Sequence, residues 1–241
     1  SNDRRAVERD LLQHVVARGV DGLFLIPARE SYVDEVGLRE DVRRVPCPVT
    51  LIDRLVSAQW CDGAGFDNVL GGALAARRLL EAGHTRIGCI SGDGREGSAN
   101  RRRRGFADVL EQAGVPLESM LDVAGDYRFD GGYAATAAMV DNGATAVVCC
   151  NYMIYRLVRQ VLEKQGRRVP QDCSLVCFDY SREDWEAEGV TCSIHQGYRI
   201  GQEVASRLMR MIRNRDCDDI NYTYVLAPEL YPGRSVGPAR R

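Results

Sequence analysis

The sequence predicts an α/β fold built on parallel sheets, and three observations carry that prediction. Short, continuously apolar runs of strand length alternate with longer stretches of helical period through most of the 241 residues. Glycines close most of the helical stretches, at 19, 83, 114 and 166. The composition, 45% hydrophobic and 27% charged, is that of an ordinary globular protein. Strands separated by amphipathic helices need crossover connections, and those connections generate parallel sheets. A chain of this length suits one large α/β domain or two lobes of roughly 100 residues each.

The elements follow in order. Residues 6–18 place Val7, Leu11, Leu12, Val15 and Val16 on a helical stripe that Gly19 ends. The run LFLIP at 23–27 and the run VTLID at 49–53, preceded by Pro46 and Pro48, read as strands covered on both faces. Helical spacing returns at 69–82 and stops at Gly83. A strand at 87–91, a helix at 102–113, a short strand at 121–124 and a helix at 131–142 come next. The pattern then gives a strand at 145–150, a helix at 153–165, a strand at 174–178 and a long helix at 198–213. Ligands of open α/β sheets sit beyond the carboxyl ends of the strands. That rule directs attention to Pro27, Asp53, Arg54, the stretch 92–100, Asn151 and Asp179.

Charge and cysteine usage exclude several classes. The formal net charge is −2, so the chain lacks the basic excess of a nucleic-acid-binding domain. Nine cysteines cannot all pair within one chain. Cys89, Cys149, Cys150, Cys173 and Cys177 lie in or beside apolar runs and read as buried thiols, with no Cys-x-x-Cys spacing and no metal site expected. Free thiols in this number suit a reducing cytoplasm. No apolar stretch approaches the roughly 20 residues of a membrane span. Residues 1–5, SNDRR, lack the features of a secretory signal and read as an abrupt start with a tag remnant.

The motifs that suggest chemistry are weak. Residues 92–97, GDGREG, match G-x-G-x-x-G after a strand, but four arginines follow instead of an apolar helical face. A loop at the edge of a ligand site is the better reading than a nucleotide cradle. Arg101 to Arg104 point four ways around a helix, so at least two are solvated, while one is placed to reach a ligand through its planar fork. His14, His84 and His195 have no nucleophile or metal partner in the pattern. Nucleophile-elbow, Walker and zinc-helix motifs are absent. Asp53, Asp67 and Asp179 suit acceptance of hydrogen bonds from ligand hydroxyls better than acid–base catalysis. No catalytic residue and no cofactor are expected.

Taken together, the stretches 19–28, 48–54, 66–92, 102–116, 130–151, 165–180, 191–209 and 226–236 resemble the effector-binding core of the LacI/GalR (lactose-repressor) family. The carrying motifs are Asp67-Asn68, G-H-x-R-I at 83–87, R-x-x-G-F at 102–106, V-P-x-D-x-S-L-V at 169–176, and L-x-P-x-L-x-x-R-S at 226–235 with one residue inserted before the arginine. The resemblance implies a periplasmic-binding-protein-like fold of two lobes, 1–84 with 196–226 and 85–195 with 227–241, each a parallel sheet flanked by helices. On that template the first lobe lacks its first strands, and the DNA-binding domain is absent. The resemblance further implies a small polar effector, a sugar or else a purine, in the inter-lobe cleft. Asp67, Arg102, Asn151, Asp179 and Gln196 would line it. Effector binding would shift the population of lobe orientations and so the operator affinity of a homodimer. Two positions depart from the family pattern. Tyr152 stands where an acid is usual, and Cys177 stands where glycine is usual. A solute-binding protein of a sugar transporter and a nucleotide-using enzyme are the alternatives that the residues leave open.

Overall fold

The computed structural model describes residues 3–56, 60–91, 97–115, 121–124, 129–179, 189–194, 196–213 and 221–239. The chain divides into two compact units, 1–66 with 196–226 and 67–195 with 227–241.

The first unit is built on a four-stranded sheet in the order β1-β2-β3-β9, parallel at every pairing. Its strands are β1 (Leu23–Leu25), β2 (Val49–Ile52), β3 (Asp62–Phe66) and β9 (Thr223–Leu226). One face is covered by α1 (Arg5–Ala17) and α3 (Glu35–Arg43), where Leu12, Leu38 and Val42 pack on Val49 and Leu51 of β2. The short α2 (Arg29–Val33) leads into α3, whose start is capped by the Asp34 carboxylate accepting from Gly37 N at 3.1 Å. Helix α3 was not visible as an apolar stripe. It is tied to α1 by charge, since Asp41, buried, accepts from both Arg5 and Arg9. The opposite face takes α8 (Gly197–Arg213). Its Ile200, Val204 and Leu208 recur every fourth residue and are buried, and the first two pack with Ala64 and Leu226.

The second unit carries a six-stranded sheet in the order β10-β8-β7-β6-β4-β5. In chain order its strands are β4 (Ile87–Ser91), β5 (Leu121–Ala124), β6 (Ala146–Cys149), β7 (Ser174–Phe178), β8 (Thr191–Ile194) and β10 (Glu229–Tyr231). Five strands run parallel as expected. The sheet is nevertheless mixed, because β10 returns antiparallel along β8. The helices α4 (Asn68–Glu81), α5 (Gly97–Gln112), α6 (Phe129–Asp141) and α7 (Tyr152–Lys164) pack as two pairs, α4 with α5 and α6 with α7. Burial is deepest in the central strands, where every residue of β6, β7 and β8 is buried. Such continuous apolar runs are the signature of a sheet covered on both faces.

Helix α4 departs from the expected division at residue 84. Gly72 of α4 lies against the backbone of Arg102 and Phe106, and Gly105 of α5 lies against the backbone of Val69. With no side chains at the crossing the two helices approach backbone to backbone, so α4 belongs to the second unit and the division falls at 66/67. Gly83, at φ +86°, ends α4 in a conformation that costs other residues strain. His84 follows and is buried. Its ring bridges Thr145 Oγ1 (2.9 Å), Ser174 Oγ (3.0 Å) and the Gly237 carbonyl (3.0 Å).

Candidate functional site

At the carboxyl ends of β6 and β7, the second unit gathers a polar cluster around Arg102. This residue lies in the second turn of α5 and is 6% exposed. Its neighbours in the arginine run divide as the helix geometry requires. Arg104 is exposed on the opposite side, and Arg101 and Arg103 are half-buried. The guanidinium of Arg102 is held from every direction. Nε donates to Asn68 Oδ1 at 2.8 Å, and Nη1 donates to the Cys150 carbonyl at 2.5 Å. Nη1 and Nη2 form a fork onto both oxygens of Asp179, at 2.7 and 3.0 Å. The plane also lies over the Phe178 ring, 4.9 Å from its centroid.

Local chain geometry puts each partner in place. Asp179 directly follows β7 at φ +62°, a left-handed conformation that a short polar residue tolerates and that turns its carboxylate back onto the strand ends. Its side chain keeps 35% of its surface exposed. Asn151 follows β6 and caps α7, its Oδ1 accepting from Ile154 N at 2.8 Å. Asp67 caps α4 in the same way, accepting from Leu70 N at 2.9 Å. Asn68, the first residue of α4, is buried, and the glycine crossing of α4 and α5 brings it to Arg102.

Of the five candidate residues, Arg102 and Asp179 are in direct contact, and Asp67 and Asn151 each adjoin a residue that hydrogen-bonds Arg102. Gln196 belongs to the other unit, where its backbone carbonyl accepts from Ile200 N in the first turn of α8. The Arg102 fork, expected to face a ligand, is engaged by Asp179. Sequence reasoning did not select Asn68, the Cys150 carbonyl or Phe178. The Asp67-Asn68 motif was a signal for the first, whereas a backbone acceptor leaves no trace in side-chain pattern. Tyr152, in place of an acid, is half-buried and stacks on Tyr155 with centroids 6.4 Å apart. The loop 92–96 and His195 lie outside the described residues. Gly97, the last glycine of the G-x-G-x-x-G match, opens α5.

A row of thiols lies directly beneath the cluster. Cys149, Cys177 and Cys192 are register partners across β6, β7 and β8. Burial pushes the Cys177 thiol far above the ordinary range, and the neighbouring Cys149, Asp179 and Cys192 add to the shift. Burial likewise raises Cys192 to about 12. These thiols are protonated packing groups with no nucleophilic character at neutral pH.

Comparison with known proteins places this geometry. Residues 76–236 match the periplasmic binding protein-like domain family. The HTH-type transcriptional regulator DegA of Bacillus subtilis is 31% identical over 221 residues, 91% of this chain and 65% of DegA. The HTH-type transcriptional repressor PurR of Yersinia pestis is 30% identical over 246 residues, 97% of this chain and 69% of PurR. The chain belongs to the LacI family. This LacI-family chain spans only part of its curated relatives, down to 50% of the ribose operon repressor of Haemophilus influenzae. Among solved structures, the cellobiose complex of the transcriptional regulator CelR superposes with a TM-score of 0.81 at 26% identity, covering 96% of this chain and 71% of that one. A LacI family regulator from Enterococcus faecium with bound ribose superposes at 0.83 and 23% identity, covering 96% and 85%, which shows the shared fold.

Proposed function

We propose that this chain is the effector-sensing core of a DNA-binding transcriptional repressor acting in the cytoplasm, that it binds a sugar, and that it performs no reaction on it. The observation that carries the reading is the Arg102–Asp179 fork at the carboxyl ends of β6 and β7. A carboxylate oxygen that accepts one bond from Arg102 retains a second lone pair, so the exposed side of Asp179 accepts from ligand hydroxyls. Arg102 sets that carboxylate in place through both of its oxygens. Asn151 and Asp67 use one oxygen each as helix caps. The Asn151 amide NH2 and the second Asp67 oxygen have no partner among the described residues and supply a donor and an acceptor beside Asp179. Such a constellation recognises a polyhydroxylated ring. Leaving one of its polar groups unpaired costs about 1–3 kcal/mol, enough to reject a ligand that lacks the matching hydroxyl. Gln196 joins the set by resemblance to the family.

The curated relatives are regulators, which supports a repressor over a transporter component or an enzyme. In the complete protein the effector would shift the balance between states of different operator affinity, and a homodimer would read the two half-sites. A thermal-shift panel of ribose, cellobiose, hypoxanthine and guanine tests the reading. A sugar at about 100 times its Kd raises stability by about 2.7 kcal/mol. Asp179→Asn removes that shift while the unliganded protein stays folded. Stabilisation by the sugar that Asp179→Asn leaves intact refutes the assignment.

A further inference from the structure

The second unit contains a cavity of about 620 Å³ that the effector reading does not use. It is lined by Tyr155, Arg159 and Glu163 of α7, by the loop Arg167–Gln171, by Gly189, and by Arg234 and Ser235. Helix α7 starts at Asn151, at the carboxyl ends of the strands. Its other end, with Glu163, and the loop after it lead into the amino-terminal start of β7. The cavity therefore lies toward the opposite edge of the sheet from Asp179.

Four guanidinium groups and a single carboxylate are found among the described lining residues, in a chain whose net charge is −2. Arg159 meets Glu163 through Nε at 3.1 Å, and Arg168 meets Asp172 through Nε at 3.2 Å. Arg167 stands 4.0 Å from Asp141. Arg234 differs from these three. Among the described residues no carboxylate pairs with its guanidinium, although its backbone is firmly held. Its N–H donates to the Gly189 carbonyl at 2.6 Å, and the next side chain, Ser235, donates to the Leu175 carbonyl and accepts from Thr191 N. The guanidinium lies directly against Gly189, where a Cβ would stand 2.7 Å from Nε. A glycine there, at φ +64°, lets the arginine lie over the backbone.

From this geometry we infer that the cavity is a second ligand site, for a small phosphorylated molecule. A guanidinium with no carboxylate partner among the described residues, on a pinned backbone and beside three others, presents a planar donor fork that can meet two oxygens of a tetrahedral phosphate group. The cavity volume lies within the range of about 300–1,000 Å³ for small-molecule sites. The flanking carboxylates hold Arg159 and Arg168 through Nε, which orients these side chains and leaves Arg234 as the guanidinium whose charge no described carboxylate offsets.

Isothermal titration calorimetry of the whole chain with sodium pyrophosphate, and with inorganic phosphate as the smaller probe, tests the inference. Pyrophosphate is expected to bind more tightly than phosphate, and Arg234→Gln to weaken it by about tenfold or more. Arg104→Gln, on the exposed side of α5, is expected to leave the affinity within about twofold. Because the Arg234 guanidinium has no hydrogen-bond or ion-pair partner among the described residues, the melting temperature of unliganded Arg234→Gln should match that of the parent. If that variant is destabilised, Arg168→Gln takes its place with the same expected loss. Absence of binding at about 10 mM pyrophosphate overturns the site. So does an affinity that both variants leave unchanged. Neither result bears on the sugar reading, which stands or falls with Asp179.

Discussion

Replacing Gly105 with alanine would wedge apart the helix pair on which the Arg102 cluster depends. A Cβ at 105 would run into the carbonyl of Val69, its carbon at 2.7 Å and its oxygen nearer still, where ordinary contact begins at 3.4 Å, so α4 and α5 must part by at least 0.7 Å. The obstructing atoms are backbone, and no rotamer change relieves the clash. The same displacement stretches the Arg102 Nε to Asn68 Oδ1 bond from 2.8 Å to about 3.5 Å, beyond the usual N–H···O range. Overpacking of this kind costs about 1–3 kcal/mol, and the lost charge-assisted bond about 1.5–3 kcal/mol. The expected destabilisation is therefore about 3–5 kcal/mol, or roughly 10 °C in melting temperature for a chain of this size. The buried thiols provide an assay specific to the affected unit. Cys89, Cys149, Cys150, Cys173, Cys177 and Cys192 are all buried and all lie in the second unit. Alkylation along a urea series, counted by mass spectrometry, follows its unfolding. Gly105→Ala should move the exposure of these six thiols to markedly lower urea. A midpoint that matches the parent protein's would refute the backbone-contact account of the crossing, and with it the reason Asn68 reaches Arg102.

Gly201, exposed in the second turn of α8 with open space at its Cβ position, serves as the converse case: Gly201→Ala should stabilise by about 0.5–1 kcal/mol through helix propensity, and an unchanged or lower urea midpoint contradicts this. Asp62 is buried and accepts from Arg207 Nε at 2.9 Å and from Tyr222 N at 2.8 Å. Arg207→Ala strands that carboxylate and should cost the first unit about 3 kcal/mol, read as earlier alkylation of Cys47 and Cys61. Burial lowers the pKa of His84 below its ordinary 6.5, against the opposing hydrogen bond to Gly237 and with the charge of Arg78 adding to the shift. The unfolded chain thus binds the proton more readily, and the stabilisation present above about pH 6.5 is lost as pH falls below it toward the folded-state pKa. His84→Gln should flatten that part of the stability profile, and an equally steep loss in the variant would point to other groups. In the folded protein near pH 8 the six buried thiols should resist alkylation for as long as the second unit stays closed, and rapid labelling of Cys177 would contradict its burial.

Much of this architecture was legible because pattern and packing agree. The stripes of α4, α7 and α8 are the faces they bury, whereas in α1 Leu12 is buried but Val7 and Leu11 of the expected stripe are exposed, and the runs at 87–91 and 174–178 are strands at those same residues. Strand β3 escaped notice because DGAGF has neither alternation nor bulk. Its face is completed by a side chain from elsewhere, since a Cβ at Gly63 or Gly65 would meet Leu55 at 2.9 or 3.1 Å. Helix α3 escaped for a different reason, as its hold on α1 is a set of arginines around Asp41. At the candidate site, the rule about strand ends found Asp179 and Asn151, and the resemblance found Arg102. Neither showed that the arginine faces inward, because two of its acceptors are a backbone carbonyl and the side chain of a helix start. The helix assigned to the first lobe moved to the second through two glycines, whose influence is felt only where another backbone comes close.

Helices that touch through bare main chain have no side-chain slack to absorb a shift. A pull on Asp179, where we propose that an effector binds, would pass through Arg102 to α5 and across the glycine seam to α4. Helix α4 begins directly after Asp67, the residue that follows β3 in the chain. On the proposed reading the seam would serve as a stiff coupling rod inside the second unit, because a methyl group at Gly72 or Gly105 would meet main chain that cannot rotate away.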